Sequence, residues 1–182
     1  WMPDTDIFFT TDHGELQGDF GLLFKGPYHV DALMRLPFIW RPAGGLESTS
    51  MTAPVGHLDL APTVCDIAGI EVPDYMEGQV LPVSEDCGQN RENVLTEWDS
   101  EHRSIDMHLK SIYRSDGWLC TCYEKSALYE GTEGELYNLK ADPEQRVNLW
   151  SKETQIQAEL VDELYDTLPA AREPKLERKA PV

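Results

Sequence analysis

The hydrophobic and polar positions change period several times along the chain, and each change marks an element. Asp6-Ile-Phe-Phe-Thr-Thr11 is a short run of β-branched and aromatic residues bounded by acids, which predicts a buried strand. It stops at Asp12-His13-Gly14, where a glycine free to take positive φ lets the chain turn. A loop with glycines at Gly14, Gly18 and Gly21 follows and closes at Lys25-Gly26-Pro27. Tyr28 to Met34 suits a short helix and Leu36-Pro-Phe-Ile-Trp40 a second strand. Arg41 to Thr52 is rich in Gly, Ser, Thr and Pro and reads as a surface loop. His57 to Ala68 reads as a helix with Leu58, Cys65 and Ile67 among its apolar positions. Pro62 falls in its first turns, so it begins near Ala61, and Gly69 ends it. Asp59, beside His57, is badly spaced to share a metal with it on one helix face and is read as a cap. Val72 to Gln89 reads as a connecting loop.

Past residue 90 the pattern is different. Val94 to Trp98 opens a region in which Ile112-Tyr-Arg114 and Trp118 to Tyr123 flank Ser115-Asp-Gly117, a hairpin signal. Glu135 to Leu139 adds a strand. Asp142-Pro143-Glu144-Gln145 combines an N-cap, a proline suited to the first helical turn and a Gln able to close a capping box, so a helix is expected there. Ile156, Leu160, Val161, Leu164, Tyr165 and Leu168 recur at helical spacing and predict a final amphipathic helix packed on the sheet. The fold class is therefore α/β. Residues 1–90 form the end of a larger sheet domain, residues 91–170 a small antiparallel sheet with a C-terminal helix, and residues 171–182 a tail. The strand at Asp6 to Thr11 should be buried on both faces and paired with strands this chain does not supply. That demands an N-terminal companion segment, self-association through the open edge, or a rearranged N-terminal region.

Composition narrows the function classes. The 182 residues suffice for a domain with its own core. A formal charge of -18 disfavours nucleic acid and anionic membrane surfaces as partners. No run approaches the ~18 apolar residues of a membrane span. A soluble chain, cytoplasmic or periplasmic, is expected. Cys120 and Cys122 share a strand face and cannot easily bond each other, so buried free thiols are expected.

The candidate chemistry sits where the first strand ends. Asp12 offers a hard oxygen ligand and His13 an imidazole nitrogen, while Lys25 offers a compact positive charge for an oxyanion. Taken bare, the same residues also describe a loop that merely ends a strand beside a solvated lysine. His29 lies close to Lys25 and is either a substrate contact or a polar loop residue.

TTDHGELQGDFGLLFKGPYHVDALMRLPFIW resembles the second signature region of the formylglycine-dependent sulfatases of the alkaline phosphatase superfamily. The resemblance continues, in the family's order, through APVGHLDLAPTVCDIAGIEVP and GELYNLKADPEQRVNL. It implies the C-terminal part of an alkaline-phosphatase-like sheet domain followed by the small antiparallel subdomain. It further implies that Asp12 and His13 are metal ligands and that Lys25 holds the sulfate oxygens. Ca2+ is the metal the family suggests. Many sulfatases carry Asn where His13 stands, and the imidazole leaves room for Mn2+. The nucleophile, a Cys or Ser within C/S-x-P/A-x-R converted to formylglycine, is absent: none of Cys65, Cys87, Cys120 and Cys122 begins such a motif, and no Ser does. The chain therefore reads as a C-terminal fragment, expected to be inactive alone, of an enzyme hydrolysing a small-molecule or saccharide sulfate ester. A phosphonate monoester or phosphodiester hydrolase, and a folded but inactive interaction module, are the rival readings.

Overall fold

A computed structural model describes residues 3–45, 50–83, 91–102 and 105–168. The expected tail at 171–182, Cys87 and the end of the connecting loop lie outside these residues. The described elements are β1 (Ile7–Phe9), α1 (Asp31–Met34), β2 (Ile39–Arg41), α2 (Leu60–Ile67), β3 (Asn93–His102), β4 (Ile105–Arg114), β5 (Trp118–Tyr123), β6 (Gly134–Asn138) and α3 (Thr154–Thr167). Short 3-10 turns precede α1 at Asp19–Gly21 and α2 at His57–Asp59.

β1 and β2 form a two-stranded antiparallel ribbon in which Phe8 lies opposite Trp40 and Phe9 opposite Ile39. Alternation puts Phe8 and Trp40 on one face, where the rings stack with centroids 5.2 Å apart. The Trp40 indole N–H donates to Asp6 Oδ1 at 2.9 Å. The other face, with Ile7, Phe9 and Ile39, is open, and Phe9 is 59% exposed. The expected burial on both faces is thus not met within this chain, because among the described residues β2 is the only strand that pairs with β1.

β3 to β6 make a four-stranded antiparallel sheet in sequence order. The β4–β5 hairpin turns at Ser115-Asp-Gly117 as expected, with Gly117 at φ 97 and its N–H donating to Arg114 O at 2.8 Å. Strand alternation gives this sheet two covered faces. One face carries Ile112, Cys120, Cys122 and Leu136, which close with Leu160 and Leu164 of α3 into the main core. The other carries Leu109, Ser111, Leu119 and Thr121, all at most 2% exposed. Cys120 and Cys122 are buried free thiols, and the adjacent sulfur together with burial holds Cys120 above its ordinary value.

One expectation for this part of the chain needs correction. No helix starts at Asp142: Gln145 has φ 51, and the Asp142 carboxylate accepts from Val147 N–H at 2.9 Å, closing a tight loop instead. The loop continues to Asn148, whose side chain bonds Leu136 N–H and Gly134 O and so covers the open edge of β6. The helix waits until Thr154.

In α2 the inward residues are Pro62 and Thr63, while Leu58 just before it and Val64 and Ile67 within it face outward. Polar partners decide this orientation. Asp59, 1% exposed, accepts from Gly56 N–H, Gln79 N–H and the Arg91 guanidinium. Thr63 Oγ1 donates to Asp59 O and accepts from Leu81 N–H at 2.8 Å. The capping role read for Asp59 is present, and Arg91 adds a buried charge partner from 32 residues away.

Candidate functional site

β1 ends at Phe9, short of the Thr11 expected, and Gly14 fixes the loop that follows it. The Gly14 N–H donates to Leu33 O at 2.9 Å, and a Cβ there would lie 1.9 Å from Ala32 O. A glycine is required for close approach to the end of α1, not for the positive φ expected of it. Further along the loop, Gly18 and Gly21 do take positive φ, at 114 and 74. Leu16 seats the loop in a small core with Val30 and Leu33.

This docking holds the Asp12–His13 pair in a defined geometry. His13 Nδ1 lies 2.8 Å from Gly14 O. A carbonyl only accepts, so Nδ1 carries the hydrogen and Nε2 is the open position. Nε2 lies 3.4 Å from Asp12 Oδ2, and the His13 N–H donates to Asp12 Oδ1 at 3.1 Å. Nε2 and Asp12 Oδ2 lie near enough to each other to serve as donors to one cation. The donor set, one carboxylate oxygen and one imidazole nitrogen with its tautomer set by a backbone carbonyl, fits part of a divalent-metal site. It is only part, since among the described residues no group of three or more His, Cys, Asp and Glu comes together to hold an ion. Asp12 is held below the ordinary carboxylate range by its own backbone N–H, then by His13 and, more weakly, by Lys25.

Lys25 is exposed at the far end of the loop. A broad cleft of about 2300 Å³ between the ribbon, the loop and the four-stranded sheet is lined by Asp12, His13, Lys25, His29 and Arg91. The four residues singled out from the sequence thus border one cleft. Among the described contacts, only Asp12 and His13 touch.

His29 is placed unlike a loop residue. It is 5% exposed, and its Nδ1 lies 2.6 Å from Ser111 Oγ of β4. Ser111 Oγ lies 2.7 Å from Thr121 Oγ1 of β5. Burial pushes His29 down to about 4. Two residues on, Asp31 N–H donates to Gln145 Oε1 at 2.7 Å. The segment after Lys25 is therefore pinned to the C-terminal sheet and its following loop. Ser111, Thr121 and Gln145 were not foreseen as neighbours of the site. Of the three only Thr121 fell within a predicted strand; Ser111 lies just before the strand read at Ile112 to Arg114, because β4 is longer than its apolar pattern suggests.

The sequence model of the family described as "N-sulphoglucosamine sulphohydrolase, C-terminal" matches residues 18–173. The chain belongs to this sulfatase family. Among sulfatase relatives, the chain is 30% identical over 174 residues to "Uncharacterized sulfatase YidJ" of Escherichia coli (strain K12), covering 94% of this chain and 33% of the relative. It is 30% identical over 155 residues to the Delta 4,5-hexuronate-2-O-sulfatase of Bacteroides thetaiotaomicron, covering 80% and 30%. A structure solved in complex with its substrate D-glucosamine-2-N,6-O-disulfate superposes with a TM-score of 0.71 at 26% identity, over 90% of this chain and 34% of that one. The phosphonate monoester hydrolase of Agrobacterium radiobacter shares the fold, with a TM-score of 0.72 at 23% identity over 91% of this chain and 35% of that one. The chain spans about a third of the length of these sulfatases. Among the described residues no helix is long and apolar enough to cross a membrane.

Proposed function

We propose that these 182 residues supply part of the active site of a sulfatase that hydrolyses sulfate monoesters, saccharide sulfates foremost. The observation that carries this is the Asp12–His13 pair, with His13 Nδ1 tied to a backbone carbonyl and Nε2 left open 3.4 Å from Asp12 Oδ2. Asp12 and His13 would hold a divalent cation, Ca2+ first and Mn2+ second, which when bound polarises the sulfate and stabilises the nucleophile. Lys25 reaches into the same cleft and neutralises charge on the sulfuryl oxygens or the leaving oxygen. His29 borders the cleft as a substrate contact. The nucleophile, a formylglycine, is assigned to the part of the relatives' length that this chain does not span. The relatives' names support a sulfate ester as substrate, and two of them a saccharide.

The phosphonate monoester hydrolase neighbour favours one rival, hydrolysis of a phosphonate monoester or phosphodiester with the same residues. Turnover of an aryl sulfate against an aryl phosphodiester by the intact enzyme separates the two. We expect the sulfate to be preferred and Lys25→Ala to lower its kcat/KM by about 100-fold or more. A large preference for the diester would overturn the sulfatase reading. The chain by itself should show no turnover. Calorimetry on it should find weak Ca2+ or Mn2+ binding or none, because two donors fall short of a full set. Tight binding would mean the metal site is built from other residues.

A further inference from the structure

The buried hydroxyls behind His29 determine what that residue offers to the cleft. His29 Nδ1, Ser111 Oγ and Thr121 Oγ1 form a chain with links of 2.6 and 2.7 Å. Ser111 and Thr121 are 0% and 1% exposed, so each hydroxyl hydrogen needs an acceptor inside the protein. Nδ1–H and Thr121 cannot both donate to Ser111 without stranding the Ser111 hydrogen, which leaves two arrangements. If Nδ1–H donates to Ser111 and Ser111 to Thr121, the Thr121 hydrogen is left without a described acceptor. If Thr121 donates to Ser111 and Ser111 donates to the Nδ1 lone pair, every hydrogen in the chain is used. The second arrangement avoids leaving a buried donor unpaired, which costs about 1–3 kcal/mol. It places the ring hydrogen on Nε2.

His29 Nε2 has no hydrogen-bond partner among the described residues. Gln145 Nε2 is the one fully buried side-chain nitrogen or oxygen among them without a partner. His29 Nε2 is therefore not sealed in, and the residue borders the cleft shared with Lys25 and Asp12. We propose that Ser111 and Thr121 are positioning residues that hold His29 as a fixed Nε2–H donor toward an acceptor oxygen of the bound sulfate ester. This rests on the sulfatase reading for the ligand, but not for the tautomer. Burial keeps the ring uncharged at neutral pH, so it acts as a donor of constant charge in the cleft that Lys25 also lines. A small antiparallel sheet that holds none of the proposed metal ligands thus reaches the site through two hydroxyls.

Long-range 1H–15N spectra of the histidine-labelled chain at neutral pH test the tautomer, with His29→Gln identifying the signal. The expected result is a protonated Nε2 and an unprotonated Nδ1. A protonated Nδ1, or an imidazolium, would overturn the proposal. In the intact enzyme, Ser111→Ala should raise KM for the sulfate ester about three- to ten-fold with kcat within about two-fold, the loss of one positioned hydrogen bond. Thr121→Val should share that defect, while Thr121→Ser, which keeps the hydroxyl, should retain the wild-type KM. Unchanged KM in both Ser111→Ala and Thr121→Val would refute the positioning role. If the enzyme instead prefers a phosphodiester, the sulfate reading fails while the tautomer result stands on its own.

Discussion

At the scale of single residues, burial decides what His29 and Gly14 do, and both effects can be measured. His29 titrates near 4 in the folded chain against an ordinary value of 6.5. Between those values the unfolded chain binds the extra proton. Stability from this residue is therefore complete above pH 6.5 and is lost as pH falls through 4, on the order of 3 kcal/mol in total. Asp31, raised first by burial, titrates in the opposite sense, so the comparison must isolate His29. Urea unfolding of wild type and His29→Gln from pH 7 to pH 4 should give the variant the shallower decline. Equal slopes would mean the imidazole is wetter than its surroundings suggest. Gly14→Ala places a Cβ 1.9 Å from a backbone oxygen that has little room to retreat. It should lower stability by about 2 kcal/mol or more, read as the fall in urea midpoint. A change under about 0.5 kcal/mol would show that the loop and α1 do not approach so closely.

At the scale of elements, what was legible in the sequence was local, and what was missed depended on distant partners. The β4–β5 turn and the stripe of α3 each follow from residues within one short window, whereas the strand read from Asp6 to Thr11 is paired only at Ile7–Phe9. Asp142 to Gln145 carries a helix-start pattern, yet Gln145 is drawn into the protein to meet Asp31, and the left-handed backbone that reaches it forbids the helix. The orientation of α2 was equally unreadable, because Asp59 and Thr63 turn inward to satisfy Gln79, Leu81 and Arg91. The site shows the same division. Asp12 and His13 were read together and do touch, whereas Lys25 shares only the cleft with them and the hydroxyls behind His29 lie 82 and more positions away. Arg91 gives this level its own test. Arg91→Met leaves the Asp59 carboxylate buried without its charge partner and should cost about 3 kcal/mol, with α2 and the 78–81 loop losing hydrogen-exchange protection first. Loss confined to the far sheet would contradict the assignment.

At the scale of the whole molecule, the apolar surface has two very different fates. Around the four-stranded sheet most of it is enclosed: α3 covers one face, and Leu109 and Leu119 on the other are at most 2% exposed. Around the ribbon and α2 it is open: Phe9, Ile39, Leu58 and Val64 are each more than half exposed. A two-stranded ribbon is marginal by itself, and an apolar strand edge invites pairing with another chain. The longer sulfatases to which this chain is similar have about three times its length available to cover such a surface. The 182-residue chain alone should therefore self-associate through β1 and β2, with a mass by light scattering that rises with concentration. Phe9→Lys with Ile39→Lys should return it to the monomer mass without unfolding the sheet packed on α3. The open face would then be a true interface, and a longer chain that covered it internally should not change its mass with concentration. A wild-type chain that stays monomeric at high concentration, with β1 still paired to β2, would show that Phe9 and Ile39 tolerate water and that the ribbon needs no cover.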